Sequence, residues 1–531
     1  MNTTIHHFSN QKQLFLVNDF ISTTTAEIRI GKPIPRGIVL KWDREYEAGG
    51  VLYFQVFKDG PIYRMYYKGT SSILGGYADT CGMLCYAEST DGIHWERKNV
   101  ETVEYNGSKN NNIVLKRSML FQEDTTFLEK YCETLSESKD IPRDQWVSSL
   151  TNAEHKDLDT FTICMDTRPD CPPDERFKAV SPLHLKNAQG WCNGPLFGFK
   201  SADGIHWERL QDEPVMEPNA YDSMNLTFWD DDSQQYYAYI RGVHGDNEYW
   251  DLRVRDVRWC TSKDYRNWTD QTRIKFDEDI DIPLYTSNAQ KCPGAPNYFI
   301  AFPTRYTNRV NWSSSYDYLP DPDMRKHRME TQDPREGIAI TDLMLMGSRD
   351  GKTWHCFNET FIRPGIQRRG NWVYGDCYFS VPLVETPCED DPTAPNELSF
   401  YASERTRVDG EGFLRRYSIR QDGFASLHAA MAPCETVTDP FTFDGKMLSI
   451  NFSTSAAGWI KFEMQDEKGK PIPGYTLENC DELFGDTLSR PVLWNGKQDV
   501  STLSGQVIRM RIVMSDADLY SFCFQKDDVC S

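Results

Sequence analysis

Positive charge is scarce in this chain: 58 Lys and Arg stand against 79 Asp and Glu, a formal net charge of −21 at pH 7. Binding a phosphate backbone needs a cationic face whose contacts release counterions, so nucleic acid is not an expected partner. No apolar run reaches the length that spans a bilayer, and membrane attachment is not expected either. Met1 to Asn10 lacks a basic stretch leading into an apolar core, the mark of a secretory signal. The 15 cysteines are odd in number and irregular in spacing, which argues against a disulfide framework. Reduced thiols and a cytoplasmic location are the expectation, and the triplets Asn225-Leu226-Thr227 and Asn311-Trp312-Ser313 are then chance glycosylation matches. No His/Cys cluster has zinc spacing, and no Walker or Rossmann glycine pattern is present; neither a metal nor an organic cofactor is called for. Sustained 3.6-residue periodicity with helix caps is also missing.

What the chain does have is a recurring signature. Ser89-Thr90-Asp91-Gly92-Ile93-His94-Trp95 returns as Ser201-Ala202-Asp203-Gly204-Ile205-His206-Trp207. Weaker copies follow at Ser262 to Trp268 and Ser348 to Trp354, and a decayed one, without its Trp, at Arg420 to Ser426. Each copy has an aromatic and β-branched run before it and a shorter apolar run after it. Asp accepts from amides two residues on and Gly supplies positive φ, so the unit is strand, turn, strand. Repetition of such units predicts an all-β fold, a five-bladed β-propeller in which each blade has four strands.

Reading outward from the signatures predicts the strands. Blade one takes Gly50–Val56, Ile62–Lys68, Met83–Ala87 and a strand from Trp95; blade two takes Phe161–Met165, Arg176–Val180, Pro195–Phe199 and one from Trp207. Blade three takes Asn225–Trp229, Tyr236–Arg241, Val257–Cys260 and one from Trp268; blade four takes Tyr285–Gln290, Tyr298–Thr304, Asp342–Met346 and one from Trp354. Blade five takes Tyr378–Val384, Leu398–Ser403, Phe413–Ile419 and Phe424–His428. After Cys434 the repeats give way to alternating runs with turn signals, which predict a C-terminal β-sandwich. The expected division is a lead-in at 1–44, the propeller at 45–433 and the accessory sandwich at 434–531.

Strands of a blade run alternately up and down, so the signature turns share a face with the turns joining first and second strands. The opposite face is where a ligand is expected. Long connections also open there, at Gly69 to Thr80 and after Tyr306, and long structured loops in a compact domain usually serve function.

Signature turns, five blades and a trailing sandwich resemble the five-bladed propeller glycoside hydrolases, above all family 32 with its C-terminal sandwich, and in outline families 43, 62, 117 and 130. Family 32 carries Trp-X-Asn-Asp-Pro-Asn-Gly in its first blade; this chain has only Val17-Asn18-Asp19-Phe20, ahead of the expected first blade, and no Arg-Asp-Pro or Glu-Cys-Pro motif. The signature is also similar to the Asp-box of sialidases, which lies on the side of the propeller away from the active site. The resemblance implies an enzyme that cleaves a glycosidic bond in short oligosaccharides.

That chemistry needs one carboxylic acid to protonate the leaving oxygen and a second carboxylate as nucleophile or base. Asp222, at the start of the third inner strand, fits best. Asp376, in Val373-Tyr374-Gly375-Asp376-Cys377-Tyr378, holds the equivalent place in blade five, Asp159 in blade two, and Glu47 is the nearest carboxylate in blade one. Glu404 ends the second strand of blade five beside Arg405, so it is either the partner acid or one half of an ion pair, to Arg405 or to a neighbouring blade. Arg241 and Arg305 end the same strand in blades three and four. A ring of charge at one topological level suggests a polar sugar, an acidic one included. The catalytic expectation is therefore Asp222, Glu404, Asp376 and Asp159, with Arg241, Arg305, Glu47 and Arg405 as substrate contacts. Phosphorolysis of the same bond and noncatalytic carbohydrate binding remain open beside hydrolysis, and an oligomer is not excluded.

Overall fold

The computed structural model describes every residue except 1–4, 72–81, 122–157, 159, 184, 188–189, 193, 218, 246–252, 333, 409 and 527–531. The chain is mostly β, with five blades arranged as a propeller. In blade one Gly50–Asp59, Ile62–Thr70, Gly82–Ser89 and Ile113–Lys116 pair antiparallel in that order. Tyr63, Met65, Tyr66 and Tyr67 of its second strand are all buried, on both faces of the sheet. A blade wedged between two others has no solvated face, so its middle strands read as continuous apolar runs.

Blade two comprises Thr162–Met165, Phe177–Pro182, Leu196–Ser201 and Glu208–Arg209, and blade three Leu226–Asp230, Gln235–His244, Val254–Ser262 and Thr272–Arg273. Blade four comprises Ala289–Cys292, Ala295–Ala301, Met346–Ser348 and Thr353–Cys356, with Lys275–Phe276 added in parallel at its edge. Its second strand stops before Pro303, and a separate ribbon of Thr304–Thr307 and Ile340–Leu343 continues toward the mouth.

The outer strand of blade three starts beyond Trp268, at Thr272, and the inner strands of blades four and five start later than expected, at Ala289 and Val384; the outer strands of blades one and five differ more. In blade one the chain makes only a bridge between Glu88 and Glu96 beside Trp95, and the fourth strand is Ile113–Lys116. In blade five the first three strands are Val384–Thr386, Glu397–Glu404 and Phe413–Ile419, but the fourth is Ile34–Lys41, from near the N-terminus. The expected strand at Phe424–His428 instead contributes Ala425–Ala429 to another sheet. Joining the first and last parts of the chain in one blade removes the free edge that an open ring would present.

That other sheet has ten strands and draws on both ends of the chain. His6–Phe8, Gln13–Leu14, Ile21–Thr24 and Glu27–Ile30 pair into it with Cys434–Thr438, Phe441–Phe443 and the long Met447–Asp466 and Ile508–Gln525. Residues 1–44 are thus no lead-in segment: their strands are shared between blade five and this sheet. Its core of Phe8, Phe20, Phe441, Phe443, Phe522 and Phe524 is continuous with Phe302, Phe379, Phe400 and Phe424 of the propeller, so one apolar interior spans both.

Four signature turns share one hydrogen-bond pattern. Asp203 Oδ1 accepts from the Ile205 amide at 2.8 Å and the His206 amide at 2.9 Å, and Trp207 Nε1 donates to the Gly204 carbonyl at 3.1 Å. Asp91, Asp264 and Asp350 repeat it. Desolvation pushes the other way, but bonds from His206 and the backbone hold the Asp203 carboxyl at about 2. In the third copy Tyr265 occupies the glycine position at φ 64°, and its hydroxyl is 2.8 Å from Thr227 Oγ1. The decayed fifth copy is a different structure: Asp422 is paired with Lys12 at 2.9 Å and accepts from Asn451 and Ser521, tying the ten-stranded sheet to the propeller.

Candidate active site

At the end opposite the signature turns, tyrosines converge on the axis. Tyr53, at φ 54°, sits early in the inner strand of blade one, Tyr285 precedes that of blade four, and Tyr374 and Tyr378 flank Asp376 before that of blade five. Tyr285 stacks on Tyr378 with centroids 5.6 Å apart and meets Tyr374 edge-on at 5.5 Å. The Tyr53 and Tyr285 hydroxyls are 3.2 Å apart. Against this cluster lie two guanidinium groups, Arg241 at the end of a second strand and Arg255 at the start of a third. Arg241 is buried, pairs with Asp222 and donates to the Ala220 carbonyl at 3.3 Å. Its burial and the proximity of Arg255 pull its pKa down to about 10.

Between the blade-four exit loop and the sheet of blade five lies a cavity of about 390 Å³ lined by Arg368, Asp376, Cys377, Glu404, Arg415 and Tyr417. Pro35, from the N-terminal strand, helps to wall it. Glu404 is held from three sides: Arg368 Nη2 donates to Oε2 at 2.7 Å, Arg415 Nε to Oε1 at 2.7 Å and the Tyr417 hydroxyl to Oε1 at 3.0 Å. Asp376 is in a contrasting environment. It is 3% exposed, and burial raises its pKa to about 7, partly offset by the Val373 and Trp372 amides that donate to Oδ2 and by Arg368. Two carboxyl groups thus line one cavity, Asp376 bonded by backbone amides and Glu404 paired with two guanidinium groups.

The structure brings Asp376 and Glu404 together and keeps Asp222 apart from them, on Arg241. The ion-pair alternative for Glu404 is met, though by Arg368 and Arg415; Arg405 turns to Glu411 at 3.8 Å and does not line the cavity. Arg305 is committed to its cross-strand neighbour Asp342, with Nε to Oδ1 at 2.8 Å. Glu47 is fully buried, bonded by the Tyr67 hydroxyl at 2.7 Å and by Arg97 Nη2 at 2.6 Å; no atom of it is left to meet a sugar. Asp159 and most of the connection Gly69 to Thr80 lie outside the described residues. After Tyr306 the chain forms Ser314–Tyr318, Pro322–Thr331 and Arg335–Ile338, and buried Arg325 there bonds the carbonyls of Asn371 and Trp372, bracing the turn that carries Asp376.

Arg255, Arg368, Arg415 and the axial tyrosines belong to no sequence motif. The only linear signal was aromatic enrichment around Asp376.

No protein-family model and no curated protein matches this chain. Among solved structures it is similar to a glycoside hydrolase family 43 arabinoxylan arabinofuranohydrolase from Bacillus subtilis in complex with cellotetraose, at 10% identity and a TM-score of 0.35 over 91% of this chain and 97% of that one. It is similar to sucrose-6-phosphate hydrolase from Lactobacillus gasseri at 9% identity and a TM-score of 0.39, over 92% and 93%. A thermostable family-43 glycoside hydrolase matches at 11% identity and 0.38, over 76% and 95%.

Proposed function

We propose that this protein is a glycoside hydrolase whose general acid is Asp376 and whose carboxylate is Glu404. One observation carries the reading: both line the same 390 Å³ cavity, Asp376 stripped of water and Glu404 paired with two guanidinium groups. A carboxyl with a pKa near 7 is protonated in about half of the molecules at neutral pH, and that fraction can pass its proton to a departing glycosidic oxygen. Glu404 then supplies the second group, either attacking the anomeric carbon or taking a proton from water. Asp222, first on sequence grounds, moves to the binding side of the site. Short oligosaccharides suit a cavity of this size. In phosphorolysis of the same bond Asp376 would keep its role and phosphate would replace water. We also read the ten-stranded sheet as a β-sandwich that props the propeller.

The test is turnover on a panel of aryl glycosides and oligosaccharides. Asp376→Asn is expected to lower it by about 10² to 10⁴, the usual contribution of a positioned acid. A protein that binds sugars but cleaves none of them, with or without phosphate, would be a noncatalytic binding propeller, and the reading would fail.

A further inference from the structure

Among the described residues, Arg255 is a buried cation whose surroundings do not account for it. It is 8% exposed, and its guanidinium carbon lies 4.9 Å from the centroid of Tyr285 and 4.7 Å from that of Tyr306. Its Nη1 is enclosed and has no hydrogen-bond partner, and no carboxylate among the described residues pairs with it. Other buried arginines show the contrast. Arg416 reaches Glu389 at 2.6 Å and Ser399 at 2.9 Å; Arg325 bonds the carbonyls of Pro320, Gly337, Asn371 and Trp372. The acid next in sequence, Asp256, is taken by His244 at 2.9 Å and Arg258 at 3.2 Å. Aromatic faces offset part of the cost of burying a guanidinium, but a charge sequestered with an open donor is otherwise rare.

Arg241 compounds the imbalance. It too is buried, its Nε has no partner, and it is close enough to Arg255 for the two charges to repel. One carboxylate, Asp222, pairs with Arg241, and its own side chain is 43% exposed. Tyrosines surround the rest.

We infer that this axial site binds an oxyanion carried by the ligand, a carboxylate or a phosphate, with Arg255 and Arg241 as its donors. The inference rests on the carbohydrate reading above and narrows it to acidic sugars: uronic acids, sugar phosphates, or a neutral sugar bound with inorganic phosphate. A planar guanidinium presents paired N–H groups that match two oxygens of such an anion. The ligand's charge then completes a site that the described residues leave one anion short.

Isothermal titration with glucuronate, galacturonate, glucose 6-phosphate, inorganic phosphate and glucose tests it, on the full chain and on Arg255→Met and Arg255→Lys. At least one anionic probe should bind about ten- to a hundredfold more tightly than glucose, and which probe it is separates a carboxylate from a phosphate ester or free phosphate. Arg255→Met should erase the preference while leaving glucose binding in place, and Arg255→Lys should keep part of it. Because the substitution removes a buried unpaired charge, Arg255→Met should melt at or above the parent temperature. Equal affinity for anionic and neutral probes, a preference that survives in Arg255→Met, or a melting temperature well below the parent's would each overturn the inference. The hydrolase reading fails separately: an anion preference without cleavage of any glycoside sinks that reading and leaves this one, whereas cleavage of glycosides without any anion preference does the reverse.

Discussion

Tyr239 donates its hydroxyl hydrogen to the carbonyl oxygen of Gly351 at 2.7 Å, fastening the second strand of blade three to the signature turn of blade four. Tyr401 of blade five does the same for Gly92 of blade one. The signature is therefore more than a local turn. Its glycine must adopt positive φ and also clear a neighbouring tyrosine.

Gly351→Ala should be costly on both grounds. A Cβ there would lie 2.5 Å from the Tyr239 hydroxyl, on a backbone at φ 70°. A loss of about 1 to 3 kcal/mol is expected, the range for a forced backbone conformation, and urea unfolding measures it. An unchanged midpoint would show that the turn does not clasp the adjacent blade.

Removing residues 1–41 tests the closure of the ring. It takes the outer strand from blade five, where Leu40 pairs with Leu414, together with the N-terminal strands of the ten-stranded sheet. Loss of cooperative unfolding is the expected result. A truncated chain that melts like the full one would restore the status of a mere lead-in.

Glu47 is expected to matter for stability and not for substrate. Glu47→Gln leaves Arg97, 15% exposed in its side chain, with only the exposed Asp43 at 3.4 Å as a counter-charge. Breaking one side of such a pair costs about 3 to 5 kcal/mol. Differential scanning calorimetry should show a large fall in melting temperature; a raised KM with unaltered melting would return Glu47 to the ligand site.

What could be read in the sequence was what is encoded locally. The signature turns were legible because Ser, Asp, Gly and Trp make their bonds within seven residues, and the middle strands because both faces are apolar. The outer strand of blade five was not, since Ile34–Lys41 is mostly exposed and carries Pro35 and Gly37, and its partner Phe413–Ile419 lies far along the chain. Glu404 could be placed at the end of its strand, but the chain leaves the strand at Arg405, where φ is 58°, so Arg405 was the wrong partner and Arg415, on the neighbouring strand, a right one. Arg255 carries no linear mark, because what distinguishes it is a carboxylate partner missing among the described residues.

Stability should report the buried acid directly. An unfolded Asp releases its proton near pH 3.9, whereas folded Asp376 holds it to about 7. Between those values the folded state binds the extra proton, so this residue's contribution to stability falls as pH rises from about 4 to 7. Asp376→Asn lacks that dependence and should gain on the parent protein across this window in melting scans. A stability difference that stays flat with pH would mean that Asp376 titrates as an ordinary carboxyl.

A proton donor matters most when the departing group is a poor one. The decisive comparison is parent against Asp376→Asn on two glycosides of the same sugar, one with a sugar leaving group and one with dinitrophenolate, which departs without protonation. With the sugar leaving group kcat/KM should fall by about 10² to 10⁴, and with dinitrophenolate the loss should shrink by about tenfold or more. Equal losses on both substrates, or none on either, would contradict the assignment of Asp376 as the general acid.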